Sequence, residues 1–301
     1  MLSQQLVNAL VLGSMYALIA AGFTLYFGVL NLINMAHGAL YMLGAFAAMT
    51  VGRLLAPMQL PSVLVVLIMT FAAVSIAGAA GVLIEKVAVK PLRRAPPLVF
   101  LITSVAVYII IEELVVHFYP DGANPQVFPD PFRLRSITFG DAVIGYVQIF
   151  LIAVAAASIV TLHWIITRTD LGRAIRAITA DATGARMIGI NVDAVVSRTF
   201  FIGSGLAAVG GIMEGMNFGS AMFNMGFLAS IKGFAAAVIG GLGNVYGALV
   251  GGYLLALAEV LVSGYIPGGG AYKNVFTFAF LIVCLVFRPQ GILGPQESQR
   301  S

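Results

Sequence analysis

The chain is a string of apolar runs, each long enough to cross a lipid bilayer and separated by short polar connectors. A helix needs about 20 apolar residues to span the hydrocarbon layer. Runs of that kind fill residues 6–28, 31–51, 61–84, 98–119, 142–167, 199–216, 225–242, 245–264 and 271–287. Across the 301 residues, 60% are hydrophobic and only 9% charged. A soluble domain of this size has no means of covering so much apolar surface. The expected fold is therefore all-α: a single polytopic membrane bundle over residues 1–301, with about eight or nine transmembrane segments. Asn217, Asn224 and Lys232 interrupt the 199–242 region, which is compatible with broken or re-entrant helices. Such backbone is tolerated only where protein or a water-filled cavity covers it.

The charged residues set the orientation. Residues 168–198 hold five of the sixteen Lys and Arg and must lie in water. Positive charge favours the cytoplasmic side. With this insert inside and nine crossings, the inner loops carry eleven cations: Lys86, Lys90, Arg93, Arg94, Arg168, Arg173, Arg176, Arg186, Arg198, Arg288 and Arg300. The outer loops carry four, Arg53, Arg133, Arg135 and Lys273. Without a crossing at 225–242 the split becomes ten to five. Nine crossings are preferred, with the N-terminus outside. No basic residue precedes Arg53, so residues 6–28 read as a retained span and not a cleavable signal. The basic residues mark topology; they form no nucleic-acid-binding stripe. The outer loop 120–141, rich in Pro and Gly, is either a periplasmic contact surface or a plain connector.

Chemistry-bearing motifs are few. The single cysteine, Cys284, excludes an internal disulfide and a cysteine metal cluster. No Gly-x-x-x-x-Gly-Lys-Ser/Thr loop, His-Glu-x-x-His or Gly-x-Ser-x-Gly occurs, so neither ATP hydrolysis by a phosphate loop nor these hydrolase chemistries are expected. No metal or cofactor is expected. Glu112, Glu113, Glu214, Lys232 and Glu259 fall within apolar runs. They are either a proton or ion relay or groups neutralised within the bundle. Asn31, Asn34 and His37 follow the first run, at a place where polar side chains line a pathway or a wet turn; Asn217 and Asn244 join them as candidate path residues. Gly211, Gly215 and Gly219, and Gly243, Gly247 and Gly251, are spaced for close helix packing. Asn34-Met-Ala-His-Gly38-Ala-Leu is echoed by Asn244-Val-Tyr-Gly247-Ala-Leu.

Within the insert, Asp170 is placed to cap a helix over 171–178 with Arg173 and Arg176 on its polar side, and Asp181 to cap a second. Few bulky anchors favour docking in a partner's groove over lying on lipid.

The stretch Ala180-Asp181-Ala-Thr-Gly184-Ala-Arg-Met-Ile-Gly189-Ile-Asn191 resembles the cytoplasmic coupling segment of ABC importer permeases, though Ala-Asp-Ala replaces the common Glu-Ala-Ala. Gly13–Gly22, Asn31–Gly44, Gly240–Gly252 and Arg288-Pro-Gln-Gly291-Ile-Leu-Gly294 resemble the branched-chain amino acid permease family of LivH type, over about residues 5–294. The resemblance implies the membrane subunit of a bacterial ABC importer for leucine, isoleucine and valine. Its implied partners are a LivM-type permease, two cytoplasmic ATPase subunits, a periplasmic binding protein and membrane lipid. By that match Asp181, Gly184, Arg186, Gly189 and Ile190 lie in the coupling element, with Arg176 beside them. Asn31, Asn34 and His37 lie near the path. Urea or short amides are alternative solutes; an ion-coupled carrier and a non-transporting scaffold are alternative classes.

Overall fold

In the computed structural model, which describes residues 2–93, 95–130, 132, 136–139, 142–288 and 290–294, the chain is a helical bundle. Arg94, Arg133, Arg135, Pro289 and Arg300, used in the readings above, lie outside the described residues. The helices are α1 (Leu2–Leu30), α2 (His37–Leu55), α3 (Ser62–Ile84), which continues through a π turn at Glu85–Val89 into α4 (Lys90–Leu92), and α5 (Pro97–Phe118). After the short strands β1 (Gln126–Val127), β2 (Ser136–Phe139) and β3 (Ala142–Gly145) come α6 (Tyr146–Arg168), α7 (Asp170–Ala180), α8 (Ala182–Met187) and α9 (Val192–Phe218). Strand β4 (Ser220–Ala221) precedes α10 (Met225–Gly240), α11 (Val245–Tyr265) and α12 (Gly269–Phe287). Pro61 and Pro96 stand just before α3 and α5, where a missing N–H costs nothing.

Among the described residues, eight helices are long and apolar enough to cross a membrane. The bundle has two distinguishable ends. At one, β2 and β3 form an antiparallel hairpin, β1 pairs with β4, and Gln4 near the start of α1 accepts from the Val143 amide at 2.8 Å. At the other, the Thr179 hydroxyl of α7 donates to Gly28 near the end of α1 at 2.6 Å. Helix α11 runs antiparallel to α1, with Gly252 against Ala17 and Gly264 against Gln5. The tail packs at the insert end, its Ile292 and Leu293 amides each donating at 2.9 Å to Ile239 and Gly240. The chain therefore passes from the hairpin end to the insert end between α9 and α11. A helix of 16 residues makes that passage. It is about 24 Å long, less than the roughly 30 Å hydrocarbon layer, and the non-helical 219–224 stretch supplies the rest.

Several span starts differ from the sequence expectation. The fifth span begins at Tyr146, because residues 142–145 form β3. The second span begins at His37, because residues 31–36 are non-helical. Helix α9 begins at Val192 instead of 199. Asp193 and Arg198 read as solvent-exposed insert, but Asp193 is paired with Lys90 and Arg93, so the helix continues beyond the apolar run.

Helices α1 and α9 are the most enclosed; α5, α6 and α12 are largely exposed. Interior contacts run backbone to backbone through small residues. A Cβ on Gly38 would lie 2.2 Å from the Gly226 carbonyl oxygen, and one on Gly226 would lie 2.0 Å from that of Gly38. Gly44 meets Ala208, Gly211 the Tyr41 carbonyl, Gly215 the Phe128 ring, Gly247 the Gly240 carbonyl and Gly251 the Ala236 carbonyl. The two glycine trios are each corrected to a pair. Gly219 and Gly243 lie off the helices in turns with φ of 68° and 89° and nothing within packing distance, so their role is the left-handed backbone that glycine adopts without strain.

The core also holds a buried ion pair. Lys232 of α10 reaches both carboxylate oxygens of Glu259 in α11, at 2.8 and 2.9 Å. Tyr16 of α1 accepts from Lys232 at 2.9 Å and donates to Glu259 at 2.8 Å. Lys273 stands 3.7 Å from Glu259. This three-helix clasp joins two residues that the sequence left as isolated charges.

Two outcomes are expected in thermal unfolding of the detergent-solubilised chain. Gly38→Val forces the α2–α10 backbones apart and costs about 1–3 kcal/mol; an unchanged midpoint would contradict that contact. Lys232→Met leaves the Glu259 carboxylate with only Tyr16 and the more distant Lys273 and costs about 3–5 kcal/mol, while adding Glu259→Gln recovers much of the loss. Strictly additive losses would contradict the clasp.

Candidate coupling surface and polar interior

The insert is built from two capped helices. Thr169, not Asp170, caps α7: its hydroxyl accepts from the Gly172 amide at 3.3 Å. Asp170 sits in the first turn and pairs with Arg173, where its charge suits the helix N-terminus. Gly172, Ile175 and Ile178 turn inward, and Arg176 bonds the Ile166 carbonyl, so α7 is pinned to the bundle. Asp181 caps α8 as expected, accepting from the Thr183 amide at 2.8 Å. Gly184 fits beneath that carboxylate, since a Cβ there would lie 2.7 Å from its oxygen. Gly189 takes a φ of 86° and turns the chain toward Ile190, which is half-buried, and Asn191. Ala185 anchors α8 inward, while Arg186 is exposed and Met187 and Ile188 stand 84% and 76% exposed. Two adjacent apolar side chains in water, on a helix held firmly from behind, form a knob without a socket.

The knob is joined to the centre of the bundle. The Asn191 side chain caps α9, accepting from the Ala194 amide at 3.1 Å. In the first turns of α9, Asp193 accepts from Arg93 at 2.6 Å and Lys90 at 2.8 Å. Arg93 also bonds Glu85, a fully buried carboxylate on the π turn that accepts from the Ser197 hydroxyl at 2.7 Å. Single π turns inside helices are frequent at functional sites. This five-residue network ties the start of α9 to α3 and α4. Sequence reading treated these residues only as loop charge; Glu85 and Asp193 were the signal available, as acids in otherwise cationic connectors.

The five candidate path residues are not gathered in one place. Asn31 is exposed beyond α1 with φ of 54°. Asn34 is buried and accepts from the Ala36 amide at 3.2 Å. His37 is fully buried; its Nε2 donates to the Ile19 carbonyl at 3.2 Å and its ring packs edge-on to Phe23 and Tyr26. Asn217 lies near the hairpin end of α9, half-buried. Asn244 caps α11, accepting from Tyr246 and Gly247 amides at 3.0 and 3.2 Å while donating to Leu293 at 2.7 Å. Asn34 and Asn244, the first residues of the echoed motif, thus make the same bond to the amide two residues on. Their motif glycines, Gly38 and Gly247, meet opposite ends of α10, at Gly226 and Gly240.

The break before α2 has its backbone satisfied by neighbours. The Met35 amide donates to Ser104 at 3.1 Å and Ser230 donates to the Met35 carbonyl at 3.4 Å. Glu214 accepts from the Tyr41 hydroxyl at 2.5 Å. Glu113 pairs with His117 at 3.2 Å on an exposed face. Glu112 faces a cleft between α5 and the start of α10.

Comparison with known proteins agrees with this architecture. The family model for "Branched-chain amino acid transport system / permease component" matches residues 5–285. The high-affinity branched-chain amino acid transport system permease protein BraD of Pseudomonas aeruginosa is 40% identical over 300 residues, covering 99% of this chain and 97% of that protein. The corresponding LivH of Escherichia coli strain K12 is 36% identical over 313 residues, with the same coverage. The autoinducer 2 import system permease protein LsrC of Escherichia coli O9:H4 is 30% identical over 169 residues, covering 52% of this chain and 46% of that protein. With eight span-length helices and a match running through nearly all of them, the chain is a multi-pass membrane protein and belongs to the branched-chain amino acid transport permease family.

Proposed function

We propose that this chain is the permease subunit of an ATP-driven importer in the bacterial inner membrane, carrying leucine, isoleucine and valine. It pairs with a LivM-type permease, receives solute from a periplasmic binding protein at the hairpin end, and docks two cytoplasmic ATPase subunits at the insert end. The observation that carries this reading is the exposed Met187–Ile188 knob on a capped, pinned helix, which fits helix-in-groove recognition by a partner. The partner supplies the energy, and α9 takes the displacement inward because its first turns are fixed to both the knob and the α3–α4 segment. The solute assignment is supported by the two relatives that align along almost their whole length. Family membership favours ATP drive over an ion-coupled carrier, and solute preference is read from uptake competition by urea and acetamide against leucine.

The double change Met187→Asp, Ile188→Asp leaves folding intact, since both side chains are exposed, and weakens ATPase co-purification by at least about tenfold, the scale of losing an interface hot spot. Unchanged recovery of the ATPase would overturn the assignment of the knob. Gly184→Trp displaces the Asp181 cap and is expected to leave the assembled complex hydrolysing ATP without leucine uptake; normal uptake would contradict the coupling role.

A further inference from the structure

The cleft between α5 and the first turn of α10 has the makings of a solute station. Its volume is about 360 Å³, within the about 300–1,000 Å³ of small-molecule sites. One wall is Tyr108 and Glu112 of α5; another is Asn224 and Phe227 at the start of α10. Val105, Ile109 and Leu228 complete the apolar lining.

Three features single it out. Glu112 lies six residues before the last residue of α5, about 9 Å along the helix, and it opens on the cleft, not on the bundle core. A carboxylate within a span is costly against lipid, so it takes a paired, water-lined or protein-covered place. The Tyr108 ring is 3% exposed. Its hydroxyl lies beside the Glu112 carboxylate and the Phe227 backbone, between the two walls of the cleft. Finally, α10 starts here without a side-chain cap from Asn224, leaving its positive end and the Asn224 amide facing the cleft. A short helix that begins inside a transporter in this way suits an anionic group. Glu113, the neighbouring acid, is turned away into its pair with His117.

We propose that this cleft binds the amino-acid zwitterion in transit. Glu112 takes the ammonium, with Tyr108 completing its hydrogen bonds. Asn224 and the α10 N-terminus take the carboxylate. Val105, Ile109 and Leu228 receive the branched side chain beside the Phe227 ring. This rests on the amino-acid importer reading above and adds to it the residues that recognise the solute.

The test uses the whole complex reconstituted with its ATPase subunits and binding protein. Wild-type leucine uptake carries the importer reading on its own. Given that uptake, Glu112→Gln is expected to slow it at least about tenfold, the scale of one charge-assisted hydrogen bond, with binding-protein-stimulated ATP hydrolysis retained; Tyr108→Phe slows it less. An Ile109→Cys variant that keeps Glu112, in a Cys284→Ser background in nanodiscs, is expected to react with a thiol reagent more slowly in leucine and at an unchanged rate in 4-methylpentanoate, which lacks the ammonium. Wild-type uptake with undiminished transport in both substitutions, or labelling indifferent to leucine, overturns the cleft alone. No uptake by the wild-type complex overturns the importer reading and the cleft assignment with it.

Discussion

Backbone that leaves the helix inside an apolar bundle must have its N–H and C=O groups met by protein, and the rest of this structure is arranged around that requirement. The chain breaks helix in its interior at 31–36 before α2, and again toward the hairpin end at 219–224 before α10. The two resumed helices meet at Gly38 and Gly226, each glycine against the other's carbonyl. Ser104 and Ser230 meet the remaining groups of Met35. Neither helix start has an ordinary side-chain cap, so each depends on its surroundings to exist. The glycines are required because any side chain would separate the backbones, and the serines because small hydroxyls reach a carbonyl or an amide without opening the packing.

A bundle held by such contacts moves as a few stiff pieces. Helix α9 is the longest enclosed one after α1, 27 residues of mostly small and apolar side chains. Its start is locked to α3 and α4 through Asp193, Arg93, Glu85 and Ser197, and its far end passes directly into β4 and the break before α10. A push delivered at α8 therefore has a continuous rigid route to the break that precedes α10. The Lys232–Glu259–Tyr16 clasp fixes the other end of the arrangement by holding α10 to α1 and α11.

Much of this was legible in the sequence, and the boundary of legibility is physical. Apolar run length gave the spans because lipid thickness fixes helix length. Asp181 announced its cap because a short acceptor before a helix has one common use, and Gly189 stands where the insert turns. Thr169 displaced Asp170 as the cap because both residue types can serve and only backbone geometry chooses. The glycine trios were overcounted because spacing does not say where a helix begins: Gly219 and Gly243 keep the four-residue period but fall in turns. The clasp, the Glu85 network and the cleft were invisible for a common reason. Each joins residues far apart in the chain, such as Tyr16 with Glu259 or Tyr108 with Phe227, and tertiary folding alone brings them together.

The central claim is that the knob of α8 faces the cytosol and is covered by the subunits that move it. A Met187→Cys label site in a Cys284→Ser background measures this directly with a membrane-impermeant thiol reagent. The account predicts no labelling in intact cells, rapid labelling in inside-out vesicles that lack the ATPase subunits, and shielding when those subunits are restored. Labelling of Met187→Cys from the periplasm of intact cells would contradict it.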